Sequence, residues 1–87
     1  MNEIVLTLYT KSDCHLCEEM EAVVKNSSRG VSLRLELVDV AGDAALEARY
    51  GTDVPLLMHG EEQLARHRAH EKTLSAKLRK LVGGGGR

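Results

Sequence analysis

The first 38 residues follow a strand–helix–strand pattern, which restricts the chain to a few folds. Residues 4–9 are apolar or β-favouring on both faces, as is typical of a strand in the middle of a covered sheet. Residues 31–38 alternate instead, which predicts a half-exposed strand at a sheet edge. The inner face of this edge strand would carry Val31, Leu33, Leu35 and Leu37. Strand–helix–strand units cross over with a right hand, so we expect the two strands to be parallel.

The segment between these two strands has the period of a helix of about 12 residues. Its apolar residues form one stripe, made of Leu16, Met20, Val23 and Val24. The polar side near the helix start carries three acidic residues, Glu18, Glu19 and Glu21. Negative charge is favoured at that end because the helix dipole is positive there.

The second half of the chain predicts a short helix followed by a hairpin. Asp43 is expected to cap a helix over residues 44–49. Residues 54–58 predict a strand that Pro55 opens, since a missing N–H does least harm at a strand start. His59 and Gly60 then indicate a tight turn, and residues 62–67 would return as the partner strand.

A last helix completes the pattern, with an apolar stripe made of Leu74, Leu78, Leu81 and Val82. We expect this helix to stop at Gly83, and residues 83–87 to form a disordered Gly-rich tail. Residues 1–82 would then be one domain with the element order β-α-β-α-β-β-α. This order predicts an α/β fold in which a four-stranded mixed sheet is flanked by helices.

Charge and hydropathy argue against several classes of partner. The 12 basic and 13 acidic side chains give a net charge of −1, which does not attract nucleic acid or an anionic membrane. No stretch reaches the ~20 apolar residues that span a bilayer. The start, Met1-Asn2-Glu3, lacks the basic region of a signal peptide. We therefore expect a cytoplasmic protein with no nucleic-acid or membrane partner. We also expect a monomer, although charge and hydropathy do not determine the oligomeric state.

Two cysteines, Cys14 and Cys17, lie where the first strand meets the first helix. A helix N-terminus stabilises a thiolate through its free N–H groups and its positive dipole end. In a reducing compartment a close cysteine pair is more often catalytic or metal-binding than a structural disulfide. We expect Cys14, at the mouth of the helix, to be the attacking nucleophile and Cys17 to resolve the mixed disulfide.

The charged neighbours of Cys14 act in opposite directions. Lys11 and a protonated His15 would favour its thiolate. Three nearby carboxylates would oppose it, those of Asp13, Glu18 and Glu19. Lys11 and His15 are therefore the candidate residues that tune the nucleophile.

The same cysteine pair allows other interpretations. A Cys-x-x-Cys sequence is half of many zinc sites, but the chain has no further cysteine, and His67 and His70 are spaced more closely than zinc-finger histidines. We therefore predict no metal site formed by this chain alone. Two non-catalytic alternatives stay open: a metal or iron–sulfur carrier that uses both sulfurs, and a redox-sensitive interaction module.

Residues outside the motif have plainer expectations. Met20 is expected to fill the core. Tyr9 would pack either beside the dithiol or in the core. His59, His67 and His70 are expected to be turn and surface residues.

Two separated motifs resemble a known family. Residues 8–17 read LYTKSDCHLC and resemble the opening of glutaredoxin-like proteins of the thioredoxin fold. Residues 50–55 read YGTDVP and are similar to the segment that precedes the cis-proline of that family. The Cys-His-Leu-Cys form, followed by two glutamates, most resembles a short glutaredoxin-like group found mainly in bacteria. The resemblance covers about residues 3–82.

The resemblance implies a fold and a set of substrate contacts. The fold would be thioredoxin-like, of the glutaredoxin type, with the four strands in the spatial order 2-1-3-4. Pro55 would be cis and lie against the cysteine pair, and the backbone of Val54 would pair with an extended substrate. Lys11 matches a family lysine that supports the thiolate and meets a carboxylate of glutathione.

The activity that the resemblance implies is thiol–disulfide exchange on protein or glutathione mixed disulfides. No organic cofactor is needed beyond an external thiol donor, such as glutathione or a reductase. The chain departs from standard glutaredoxins because His15 and Leu16 replace Pro-Tyr, and Arg66-His67-Arg68 stands where a glutathione-binding Gly-Gly pair is usual. The glutathione site is therefore incomplete, and the expected substrate is a disulfide-containing protein or a small thiol compound.

Overall fold

The computed structural model describes residues 3–85, which form four strands and three α-helices. The strands are β1 (Ile4–Thr10), β2 (Leu33–Asp39), β3 (Leu56–His59) and β4 (Glu62–Arg66). The helices are α1 (His15–Ser27), α2 (Ala44–Tyr50) and α3 (Glu71–Gly85), with a 3₁₀ turn at Val40–Gly42. The predicted order of elements is confirmed. Among the described residues, no helix has both the length and the apolar composition needed to cross a membrane.

The four strands form one mixed sheet in the order β2-β1-β3-β4. β1 runs parallel to β2, with Ile4 opposite Leu33 and Thr10 opposite Asp39. β3 is antiparallel to both β1 and β4. The central place of β1 and the edge place of β2 agree with their sequence patterns. The predicted four-stranded mixed α/β fold is thus confirmed.

The core is aliphatic and lies between the sheet and helices α1 and α3. Its fully buried residues include Leu6 and Leu8 from β1, Met20 and Val24 from α1, Leu57 from β3, and Leu74 and Leu78 from α3. Burial of each such side chain is worth about 1.5–3 kcal/mol relative to exposure. α1 and α3 are also linked through Ser27, whose hydroxyl donates to the Glu71 carbonyl at 3.4 Å. This packing fixes α1, and therefore its first turn, relative to the end of β1.

Two aspartates are the N-cap residues of the two elements that follow β2. The Asp43 carboxylate accepts from the backbone N–H groups of Ala45 at 2.9 Å and Leu46 at 3.2 Å, as a helix N-cap does. The predicted cap is confirmed. Asp39 plays the same part for the 3₁₀ turn, where it accepts from Ala41 at 2.9 Å. This turn is too short to leave a periodic signal, and it was not predicted.

Three details differ from the sequence expectations. Leu37 was placed on the inner face of β2, but its side chain is 53% exposed. Val82 was placed in the stripe of α3 and is 51% exposed, although Leu74 and Leu78 of the same stripe are buried. α3 continues to Gly85 rather than stopping at Gly83, since glycine disfavours a helix by only about 1 kcal/mol per residue. The predicted disorder of residues 83–87 stays a prediction, and residues 86 and 87 lie outside the described part.

The hairpin also ends earlier than predicted. β4 stops at Arg66, and His67 has φ 66°, which is left-handed backbone that cannot continue a strand. β3 begins at Leu56, one residue after the proline that was expected to open it. The turn between the strands includes Gly60 at φ 61°, a conformation that glycine adopts without steric strain.

Candidate dithiol site

Cys14 and Cys17 are joined by a disulfide at the start of α1, with 5.2 Å between their Cα atoms. Cys14 is the N-cap residue of the helix and Cys17 lies in its first turn. The backbone N–H of Cys17 donates to the Sγ of Cys14 at 3.0 Å. Cys14 is half-buried, whereas Cys17 is only 5% exposed. Of the two cysteines, Cys14 is therefore the one that a substrate can approach.

A short turn carries the chain from the end of β1 to Cys14. Asp13 has φ 59°, a left-handed conformation that aspartate tolerates better than most residues. The Ser12 hydroxyl donates to a carboxylate oxygen of Asp39 at 3.2 Å, which ties the turn to the end of β2. The turn reverses the chain so that α1 starts with Cys14 at its exposed end.

The two predicted tuning residues have carboxylate partners. Lys11 Nζ lies 3.8 Å from a carboxylate oxygen of Glu47 on α2. His15 Nε2 lies 3.0 Å from a carboxylate oxygen of Glu19, one helical turn further on, and the His15 side chain is 84% exposed. Lys11 lines the same cavity as Cys14, while His15 faces solvent.

A cavity of about 130 Å³ lies beside the disulfide, and we name it the dithiol cavity. Its walls come from the end of β1, the turn, α1 and β2: Thr10, Lys11, Asp13, Cys14, Cys17, Glu18, Glu21 and Leu37. The residue that the sequence analysis missed is Leu37, which the period of β2 assigned to the core. Its exposure cannot be deduced from strand alternation, because alternation assigns a residue to a face of the sheet and does not show what packs against that face.

The proline loop, defined as residues 52–55, lies at the same end of the sheet. Tyr9 near the end of β1 is paired with Leu56 at the start of β3, so Pro55 and the chain that leads to Cys14 lie at the same end of these two central strands. The Val54–Pro55 peptide bond is cis. Pro55 is buried and Val54 is half-buried. The cysteine-bearing turn and the segment before Pro55, which the sequence analysis selected, thus lie at the same end of the sheet.

The end of β4 fixes the proline loop through three contacts. The backbone N–H of His67 donates to the Pro55 carbonyl at 2.7 Å. The His67 ring contributes a second bond, because its Nε2 lies 2.9 Å from the Thr52 carbonyl oxygen, which can only accept. Arg66 Nη1 lies 3.6 Å from the Asp53 carboxylate. We call Arg66 and His67 the loop clamp.

The clamp depends on an unusual backbone conformation. The N–H of Arg68 donates to the carbonyl of Arg66 at 2.7 Å, which closes a three-residue turn around His67. A non-glycine residue at φ 66° is uncommon, and such residues cluster at functional sites. His67 was expected to be a turn and surface residue. It is exposed, but its ring contact with the proline loop left no signal in the sequence.

Tyr9 packs against Tyr50 rather than against the cysteines. The two rings are stacked with centroids 4.3 Å apart, and the Arg49 guanidinium lies 5.2 Å from the Tyr50 ring centroid. Burial raises the pKa of the Tyr9 phenol above its ordinary value, and Tyr50 raises it further, while Arg49 acts in the opposite direction. This stack joins the end of β1 to the end of α2, directly before the proline loop.

Within residues 3–85, no group of three or more His, Cys, Asp or Glu residues is arranged to hold a metal ion. To bind a metal or a cluster, the two sulfurs of this part of the chain would need ligands from elsewhere, such as a second chain. The site that the described residues do form is a cysteine pair that can alternate between dithiol and disulfide.

The sheet order, together with a Cys-x-x-Cys pair at the start of the first helix, defines a protein of the thioredoxin-fold class. The family described as Glutaredoxin-like domain (DUF836) matches residues 5–79. The chain belongs to this glutaredoxin-like family. The resemblance inferred from residues 8–17 and 50–55 is confirmed.

Solved structures agree with this placement. A structural-genomics target protein from X. campestris is 32% identical, with a TM-score of 0.73, over 85% of this chain and 95% of that chain. A protein from Nitrosomonas europaea is 26% identical, with a TM-score of 0.73, over 90% of this chain and 94% of that chain. Thioredoxin 1 from Thermosipho africanus is similar in fold alone, with 12% identity and a TM-score of 0.68 over 97% of this chain and 100% of its own.

Proposed function

We propose that this protein is a thiol–disulfide oxidoreductase that reduces protein or glutathione mixed disulfides through Cys14 and Cys17. The observation that carries the proposal is the placement of Cys14 Sγ at the N-cap of α1, 3.0 Å from the N–H of Cys17. In the reduced protein the same N–H and the positive end of the helix dipole would stabilise a Cys14 thiolate. A thiolate that is both stabilised and accessible is the attacking species in disulfide exchange.

The reaction proceeds in two exchanges. The Cys14 thiolate attacks one sulfur of the substrate disulfide, that S–S bond breaks, and the departing thiolate takes a proton. Cys17 then loses its proton and attacks the Cys14 sulfur, which releases the second substrate thiol and leaves the Cys14–Cys17 disulfide. Two electrons and two protons have passed to the substrate, and an external thiol donor must return them before the next turnover.

Other residues of the site would support these exchanges. Lys11 lines the dithiol cavity, where its ammonium group would favour the thiolate of Cys14. His15 would act in the same direction when protonated, although its exposure weakens any effect through solvent screening. Val54 would offer its backbone to an extended substrate, and Pro55 would position that backbone.

The cellular setting follows from the direction of the reaction. A reductant such as glutathione or a reductase would regenerate the dithiol, and no organic cofactor is needed. A cytoplasmic location would supply that reductant, because cytosolic thiols are kept reduced. The protein would act as a monomer on a disulfide-containing protein or a small thiol compound.

Two single variants test this proposal. Cys17→Ser is expected to accumulate a mixed disulfide on Cys14, because the resolving thiol is gone, whereas Cys14→Ser should form none. Intact-mass spectrometry after incubation with oxidised glutathione or insulin measures both. If neither the wild type nor Cys17→Ser exchanges with either substrate, the proposed activity is wrong. Stoichiometric zinc or visible absorbance of the purified protein would instead favour a metal or iron–sulfur carrier.

A further inference from the structure

We propose that the dithiol cavity is a specificity subsite for polypeptide disulfides in which an apolar side chain and a cationic side chain lie next to the cysteine. The inference rests on the proposed function, because such a subsite matters only if Cys14 attacks a disulfide. It names the substrate class that the site prefers, and it makes the anionic tripeptide glutathione the poorer substrate.

Leu37 is the first observation. Its side chain is 53% exposed, although Leu33 and Leu35 of the same strand are half-buried. It lines the cavity that both sulfurs line. β2 is the edge of the sheet in the described chain, so no other strand covers Leu37 from that side. An apolar surface beside a reactive pair is suited to bind an apolar group of the substrate.

The charges of the cavity are the second observation. Asp13, Glu18 and Glu21 line it with three carboxylates, against the single ammonium group of Lys11. Lys11 is itself 3.8 Å from the Glu47 carboxylate, which offsets part of its positive charge. Lys25 lies 3.6 Å from the Glu21 carboxylate and offsets part of that negative charge. With these two neighbours counted, four carboxylates face two ammonium groups. The excess of negative charge attracts a cationic group and repels a carboxylate. Glutathione carries two carboxylates, so this wall disfavours it.

The size of the cavity is the third observation. The cavity has a volume of about 130 Å³ and is open to solvent, and Leu37 and the carboxylates of Asp13, Glu18 and Glu21 line it beside the two cysteines. An open site of this kind contacts the side chains next to the substrate cysteine and leaves the remainder of the substrate in solvent. The residue beside the cysteine is therefore the part of a peptide substrate that the cavity can distinguish.

The test uses the full chain, reduced beforehand and freed of reductant, in single-turnover reactions. The substrates are three symmetric disulfide dimers, each made of two copies of one short peptide with a single cysteine. In the three peptides the two residues that flank the cysteine are Leu and Lys, Leu and Glu, or Gly and Gly. Rates are measured by acid quenching, thiol alkylation and mass spectrometry. We expect the Leu–Lys dimer to react about tenfold faster than the Leu–Glu dimer at low ionic strength. The preference for Lys should vanish near 1 M salt, where the Debye length is about 3 Å.

Three variants test whether the preference for the Leu–Lys dimer arises from the dithiol cavity. Leu37→Thr should slow the Leu–Lys dimer several-fold more than the Gly–Gly dimer, because only the first substrate loses an apolar contact. Val82→Thr is the matched control, since Val82 is similarly exposed at 51% but does not line the cavity. The double variant Glu18→Gln with Glu21→Gln should reduce the discrimination between Lys and Glu substrates.

Several outcomes would overturn the inference. Equal rates for the three dimers, a faster reaction with oxidised glutathione than with the Leu–Lys dimer, or equal effects of Leu37→Thr and Val82→Thr would each do so. A small disulfide without a peptide, hydroxyethyl disulfide, separates this failure from a failure of the proposed function. If the reduced protein exchanges with none of these disulfides, both are wrong. If it reduces all of them at one rate, only the subsite is wrong.

Discussion

The proline loop and the dithiol cavity lie on opposite sides of β1, because β3 and β2 are its two neighbours in the sheet. The loop is held by main-chain bonds and by the clamp: His67 bonds the carbonyls of Thr52 and Pro55, and Arg66 pairs with Asp53. The cavity is walled by side chains, and its apolar member, Leu37, is more than half exposed. One side presents a fixed backbone, and the other presents side chains that can adapt.

This difference suits two kinds of recognition. Main-chain pairing requires donors and acceptors at fixed positions, and a backbone fixed beforehand loses less entropy when it binds. Side-chain recognition tolerates movement, and a change of one residue alters preference without disturbing the fold. If the protein has the proposed function, the proline-loop side would supply affinity common to all extended substrates, and the cavity side would supply discrimination among them.

The largest expected contrast is between a buried apolar side chain next to the loop clamp and an exposed one in the dithiol cavity. Met20 is 1% exposed, and it lines a groove along α1 together with Leu16, His67 of the clamp and His70. Met20→Ala should lower the free energy of unfolding by about 2–5 kcal/mol, because it leaves a cavity in the core. Leu37→Ala should change it by no more than about 0.5 kcal/mol, because the side chain is mostly in water. Urea unfolding measures both, and similar losses for the two variants would refute the contrast.

The elements on the two sides differed in how far the sequence could predict them. The capped helix after Asp43 and the edge strand β2 were recovered because capping residues and strand alternation act locally. The position of the cysteine pair was recovered because a strand-to-helix junction is also local. These features need no knowledge of what packs against them.

The features that were missed depend on neighbours distant in sequence. Leu37 obeys the alternation of β2, yet it is 53% exposed, and it lines an open cavity together with Cys17 and Glu18 of α1. His67 bonds a carbonyl 15 residues earlier in the chain, at a backbone conformation that no pattern around it indicates. Single-sequence patterns predict which face a residue occupies, and they do not predict which partner lies opposite it.

Removal of the His67 ring is expected to have a smaller effect, confined to the proline-loop side. His67→Ala loses the ring bond to Thr52 and should lower the free energy of unfolding by about 0.5–1.5 kcal/mol. His67→Gly loses the same bond, but glycine adopts φ 66° without strain, so it should be less destabilised than the alanine variant. If the proposed function is right, both variants should raise KM for peptide disulfides, because the loop that carries Val54 loses one of its three contacts.

Two controls separate positioning by His67 from a general loss of structure. His67→Asn keeps a side-chain donor and tolerates the left-handed backbone, so it should recover part of the lost affinity. His70→Ala alters an exposed residue of the same groove and should leave KM unchanged. Hydroxyethyl disulfide should react at the wild-type rate in every variant, since it has no backbone to pair. A parallel loss with this small disulfide would show that the ring acts on the dithiol itself.

The smallest expected effect is a pH response that is absent at neutral pH. Burial and the contact with Tyr50 raise the pKa of Tyr9 above 10.0, so the folded protein favours the neutral phenol. The stability that this preference contributes is complete below the unfolded value, about 10, and is lost as pH rises through the folded value. Tyr9→Phe should therefore lose less stability than the wild type between neutral pH and pH values above 10, measured by urea unfolding at each pH. An equal loss of stability in Tyr9→Phe and the wild type over this pH range would contradict the prediction.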